Sequence, residues 1–201
     1  MASLQGETNT MSAFNPDDYG PLFSPLLTTE RCRALGPGEP NRAAFDGLRA
    51  LTIEKAFAGQ AVADREMAKA CLAGIWLFHD FLDESHTISQ SIGSTSGSYW
   101  HGIMHRREPD YSNSKYWFHR VGTHAVVEPL CEAARELAQE ADLDKSAEFL
   151  AGQAAWDAFG FADLCQAAEQ GRSTTGPLCR RIQQCECELL FDYCYRQALG
   201  Q

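Results

Sequence analysis

The 201-residue chain lacks any apolar run approaching the roughly 20 residues that cross a bilayer, so no transmembrane helix is expected. Its opening stretch, Met1 to Tyr19, is polar and acidic and carries no signal-peptide pattern, so export is not expected either. Asn-x-Ser/Thr sequons are missing, which agrees with a cytoplasmic protein. Strand alternation is essentially absent, since Ala125-Val126-Val127 is too short to count, and no internal repeat is visible. Positive charge is scarce: 17 Lys+Arg face 27 Asp+Glu, for a net charge of −10 and a pI near 5.0. Such a field repels nucleic acid and anionic lipid. A small-molecule substrate or another protein is the expected partner.

What is present suffices for a folded domain. Hydrophobic residues make up 44 % and charged residues 22 %, an ordinary globular balance. The eight cysteines sit mostly among apolar residues and helix formers, as in Ala70-Cys71-Leu72 and Asp163-Leu164-Cys165. Without an export signal they read as reduced thiols packing as small hydrophobes. Cys185 and Cys187 fall about 200° apart on a helix, which rules out a four-thiolate zinc site there.

Five of the eight prolines lie in residues 1–40, with Gly20, Gly36 and Gly38. This punctuation predicts a disordered start to about Asn15 and then an extended arm. Its apolar set (Phe14, Tyr19, Leu22, Phe23, Leu26 and Leu27) packs on the body or reaches a second subunit, leaving a homo-oligomer open. Residues 41–201 read as one helical domain. Asn41 is a candidate cap for a helix over 42–58, and a long helix is predicted from Val62 to Ile92. A short helix follows over 98–108, stopped by Pro109, and Asn113 caps another through Phe118. Further helices are expected over 130–141, from 144 or 145 to 161, over 162–170, and from Pro177 to Leu199. The predicted fold class is all-α, a single-domain helical bundle with an extended N-terminal arm.

All six histidines fall between His79 and His124, and three of the four tryptophans lie in or beside that window. On a continuous helix at about 100° per residue, His79, Asp83 and His86 share a face. His101 and His105 are four apart, the spacing at which two imidazoles of one helical face bind one metal, and Glu108 follows three further on. His86, Asp83 or Glu186 could complete the sphere from another helix. Imidazoles with a carboxylate suit zinc or iron as a divalent transition metal. Without a metal, the same histidines serve as acids or bases, their ordinary pKa lying near 6.5. Arg106, Arg107 and Arg120 are candidate anion clamps, with structural ion pairs as the competing reading for Arg106 and Arg107. Trp100 and Tyr116 are candidate aromatic walls. His79-Asp80 matches the central pair of HD-type phosphohydrolases, but no histidine lies upstream of it.

The stretch Tyr99-Trp100-His101-Gly102-Ile103-Met104-His105-Arg106-Arg107-Glu108-Pro109-Asp110, followed by Asn113-Ser114-Lys115-Tyr116-Trp117-Phe118, resembles the signature of a group of uncharacterised microbial all-helical proteins. The resemblance extends to Asp83-Glu84-Ser85-His86 and to Leu189-Leu190-Phe191-Asp192-Tyr193-Cys194-Tyr195. It departs where Glu186-Cys187 stands in place of a Glu-Trp pair. It implies a shared fold and no particular reaction.

The leading expectation is a small-molecule enzyme, metal-dependent (oxygenase, hydrolase or lyase type), acting on an anionic or polar substrate. His86, His101 and His105 are its candidate metal ligands, and His86, His105, Glu108 and Glu186 its candidate catalytic groups. Arg106, Arg107, Arg120, Trp100 and Tyr116 are its candidate substrate contacts. The alternatives are a metal-free acid–base lyase, isomerase or cyclase, a non-catalytic binding or interaction protein, and a set of satisfied core histidines.

Overall fold

The computed structural model describes residues 14–27 and 33–201. Among these are eleven α-helices and no strand, an all-α bundle as the sequence predicts. In chain order they are α1 (Gly20–Leu27), α2 (Phe45–Arg49), α3 (Ile53–Ala56), α4 (Arg65–Phe78), α5 (Leu82–Ser89) and α6 (Thr95–Arg107). Then come α7 (Tyr111–Val121), α8 (Val127–Gln139), α9 (Phe149–Gly152), α10 (Ala158–Glu169) and α11 (Gly176–Leu199). Among the described residues no helix is long and apolar enough to cross a membrane.

The helix starts follow local chemistry. Asp64, Ser94, Asp110 and Asp157 each turn a side-chain oxygen onto backbone N–H groups of the first turn of α4, α6, α7 and α10. Asn113 does not cap α7 as expected; its own N–H is one of those that Asp110 accepts. α11, 24 residues long, is the spine. Its N-terminal half buries Cys179 and Ile182 against Leu130, Leu164 and Cys165. Its C-terminal half buries Leu190, Phe191, Cys194 and Ala198 against α4 and the N-terminal segment. Gly74 lets α4 close onto α6, because a Cβ there would stand 2.6 Å from Trp100 Cζ2.

Four expectations are corrected. Over residues 16–27 the arm is not extended: Pro16–Tyr19 forms a 3₁₀ turn capped by Asn15, and α1 follows despite Pro25 inside it. Pro21 falls in the first turn, where no N–H is needed. Burial of Tyr19, Phe23 and Leu27 against Phe57, Phe191 and Tyr195 then supplies what helix propensity lacks. The expected disorder before Asn15 falls mainly on residues 1–13, outside the described residues. The helix predicted over 42–58 is a 3₁₀ turn followed by the short α2 and by α3, which Thr52, extended and accepting from the Lys55 N–H, starts afresh; Asn41 makes no side-chain cap bond. Asn41 bonds His79 instead, its Nδ2 lying 3.0 Å from Nδ1 of the ring. The helix predicted from 144 or 145 to 161 is only α9, and its last residues join α10.

The fourth correction bears on the site. The helix predicted from Val62 to Ile92 stops at Phe78 and restarts at Leu82. Asp80 takes φ +62°, its N–H bonds Leu77 O, and the Phe81 N–H reaches back to Trp76 O. This is the paired hydrogen-bond pattern that ends helices on a left-handed residue, completed by the Phe81 ring against Trp76 at 5.3 Å. Glycine usually holds that position; aspartate tolerates it at a modest cost. Here Asp80 is held by Arg107, 2.6 Å from its carboxylate, and more loosely by Arg33 at 3.8 Å. Arg107 also donates to the carbonyls of Gly36 and Pro37.

Arg106, the neighbouring arginine, is fully buried against Glu186, with Gln183 at 3.4 Å and the rings of Phe118 and Phe161 on its faces. Burial opposes its charge, but the Glu186 carboxylate more than compensates and its pKa is raised. Removing one partner of a buried pair strands the other charge, at about 3–5 kcal/mol. Glu186→Gln and Arg107→Met are each expected to lower unfolding free energy by roughly that amount. Denaturant titration checks this; a loss under 1 kcal/mol in either would mean that the pair does not hold the bundle.

Candidate functional site

His86 on α5 and His101 and His105 on α6 meet at the α5–α6 junction. One ring nitrogen from each lies within 4.8 Å of those of the other two. Ring centroids are 4.6 Å (His86–His101), 4.7 Å (His101–His105) and 5.3 Å (His86–His105) apart. His101 and His105 are buried and His86 half-buried. The break at Asp80 makes this possible by letting α5 leave the axis of α4 and pack along α6.

Hydrogen-bond direction sets two of the three tautomers. Ser89 Oγ lies 3.2 Å from both His86 O and His101 Nδ1. A carbonyl can only accept, so the serine donates its one proton there, and His101 Nδ1–H donates to the serine oxygen. His101 Nε2 is left with its lone pair. At His105, Nδ1 lies 3.1 Å from Glu108 Oε2, which accepts from Nδ1–H, and Asn113 Nδ2 donates to Nε2 at 3.0 Å. The His86 ring makes no hydrogen bond to a described residue, and the Trp117 ring covers His101 at 4.1 Å.

Burial, then His105 and His86 beside it, push His101 down to about 3. Burial also lowers His105, against the opposing pull of Glu108. Both are therefore neutral near pH 7, the form in which imidazole binds metal or accepts a proton.

The structure brings His86, His101, His105 and Glu108 together, with Tyr116 next to Trp117 on α7 and Arg120 one turn beyond it. It separates the rest. Glu186, Arg106 and Arg107 are engaged in the core, and Trp100 is fully buried against Gly74. The face expected to join His79 to His86 does not exist, because the helix breaks between them. His79 is buried elsewhere, with Nε2 3.0 Å from Leu26 O. Asp83, the third member of that face, is exposed. Sequence reasoning missed Ser89 and Asn113 as site groups. Ser89 sits three residues from His86, and Asn113, Trp117 and Arg120 recur at four and three on α7, a readable stripe.

Two other features carry no comparable chemistry. Ser96 Oγ lies 3.0 Å from His124 Nε2, but His124 Nδ1 accepts from the Val126 N–H, so Nε2 is the protonated nitrogen and donates to the serine. The pair is no activated nucleophile. A cavity of about 490 Å³ bounded by Pro37, Phe45, Phe81 and Glu84 contains none of the three histidines. The described cysteines are all free, and burial pushes Cys187 and Cys194 up to about 12, far from reactive thiolates.

Comparison with family models, curated proteins and solved structures finds no match for this chain, so its site is read from geometry alone.

Burial pushes His124 down to about 4, against an ordinary 6.5. The unfolded chain therefore binds more protons than the native one between those values, and stability falls as pH drops from about 6.5 toward 4. His101 adds a loss of the same sign. In chelator-treated protein, His124→Asn is expected to flatten the fall in melting temperature between pH 7 and 4. Parallel melting curves for variant and wild type would show that His124 is not the proton sink.

Proposed function

We propose that His86, His101 and His105 hold a divalent transition metal, zinc in the first instance, and that the protein is a metal-dependent enzyme acting on a small molecule by hydrolysis or lyase-type elimination. The observation that carries this reading is the convergence of three imidazoles, two of them buried and neutral, with no carboxylate among them. Three imidazoles leave a fourth position of a tetrahedral sphere for water or substrate, the pattern of catalytic zinc. Bound there, the metal would lower the pKa of a coordinated water or polarise a substrate oxygen. Glu108 bonds the far nitrogen of His105, which makes it an orienting partner for a ligand and takes it out of a two-histidine, one-carboxylate iron site. Ser89 plays the corresponding part for His101. Tetrahedral ligands lie about 3.3 Å apart, so the ring nitrogens would draw inward on binding.

One contact favours a second reading. Asn113 donates to His105 Nε2, so the cluster is hydrogen-bonded without metal and could serve as an acid–base site. The two readings differ in what the amide does: in the first it competes with the metal, in the second it positions the base.

Zinc titration with equilibrium dialysis is expected to show about one ion per chain, with at least hundredfold weaker binding in His86→Ala and His101→Ala. Asn113→Ala is expected to tighten it. Cobalt or copper should quench Trp117, and Trp117→Phe should remove that quenching. Zinc binding unchanged by all of the histidine substitutions, or no zinc binding in the wild type, would defeat the metal reading.

A further inference from the structure

We propose that the substrate of the triad is a monocarboxylate, held by Arg120 against the rings of Trp117 and Tyr116; this rests on the metal reading above. Asn113, Trp117 and Arg120 form one stripe of α7, spaced by four and three residues. Its first member touches His105, its second covers His101, and its third lies over the second, with the guanidinium 5.1 Å from the Trp117 ring centroid. The stripe thus runs from two imidazoles of the triad to a cation.

That cation is available. Of the neighbouring positive groups, Arg106 and Arg107 are engaged in the core and Lys115 pairs with Asp163. Arg120 is exposed and meets no carboxylate among the described residues. Its Nη1 donates to Tyr116 Oη at 3.3 Å, and the two rings lie against its face. These contacts orient the fork and leave the Nε–Nη2 edge without a partner among the described residues, the edge that takes a carboxylate through two parallel hydrogen bonds. Tyr116, 53 % exposed, and half-buried Trp117 offer apolar surface to the body of the ligand. Stacking of arginine on both rings keeps its charge in place with little added ordering on binding.

A phosphate monoester would fit the same fork, but it carries nearly two negative charges into a chain of net charge −10, beside Glu108 and Asp110. A single carboxylate suits one unpaired guanidinium better. The ligand would place its carboxylate on Arg120 and its reacting group toward the histidines, across the width of the Trp117 ring.

The test titrates benzoate, and separately phenyl phosphate, into zinc-loaded protein by calorimetry. Benzoate is expected to bind wild type, to bind Arg120→Gln at least tenfold more weakly, and to gain little from Arg120→Lys, which restores charge without the fork. Zinc affinity is expected to be the same in all three. Equal benzoate binding by wild type and Arg120→Gln, no benzoate binding by wild type, or tighter binding of phenyl phosphate would overturn the proposal while leaving the metal reading intact. Failure of the wild type to take up zinc defeats the metal reading itself and is seen before any benzoate is added.

Discussion

The ion pair between Arg107 and Asp80 is the constraint on which the site depends. It neutralises a buried carboxylate on a left-handed backbone residue, and that residue ends α4 and sends α5 in a new direction. The same guanidinium ties down the carbonyls of Gly36 and Pro37, so these two residues are anchored to the break. Arg107 is the last residue of α6, the helix that carries His101 and His105. The element holding two of the imidazoles therefore also sets the direction of the element holding the third.

Arg106 does the parallel work on the other side of α6. Its pairing with Glu186 joins α6 to the spine α11, and its ring contacts reach α7 and α10. Two adjacent arginines facing different neighbours thus fix one helix in the bundle. Buried pairs of this kind are poor sources of net stability but exacting about geometry, since either charge alone is costly. A ligand pocket needs that exactness more than it needs extra stability.

Much of the fold was legible in the sequence. The absence of alternation and the proline at the start of the last helix both describe an all-α chain, and it is one. The pairing of His101 with His105 follows from a spacing of four on one helix. The misreadings share a cause. Local preference alone speaks against Pro25 inside α1, for Asn41 as a cap and for an unbroken helix through Asp80, and each is decided by a contact far away in sequence. Tyr19 and Phe23 meet the end of α11, Asn41 meets His79, and Asp80 meets Arg107.

The sequence by itself determined that this is an all-helical protein with its histidines concentrated in one acidic chain's small basic and aromatic window. Helix periodicity and composition are local properties and need no partner to be read. Only the tertiary structure decided which histidines meet, and which of Arg106, Arg107 and Arg120 pair with a carboxylate among the described residues. Imidazoles fifteen or more residues apart converge only when a helix break aims one element at another. Whether a guanidinium finds a carboxylate likewise depends on what the fold places against it. Glu186 and Asp80 stand in the core facing Arg106 and Arg107, and among the described residues no carboxylate faces Arg120.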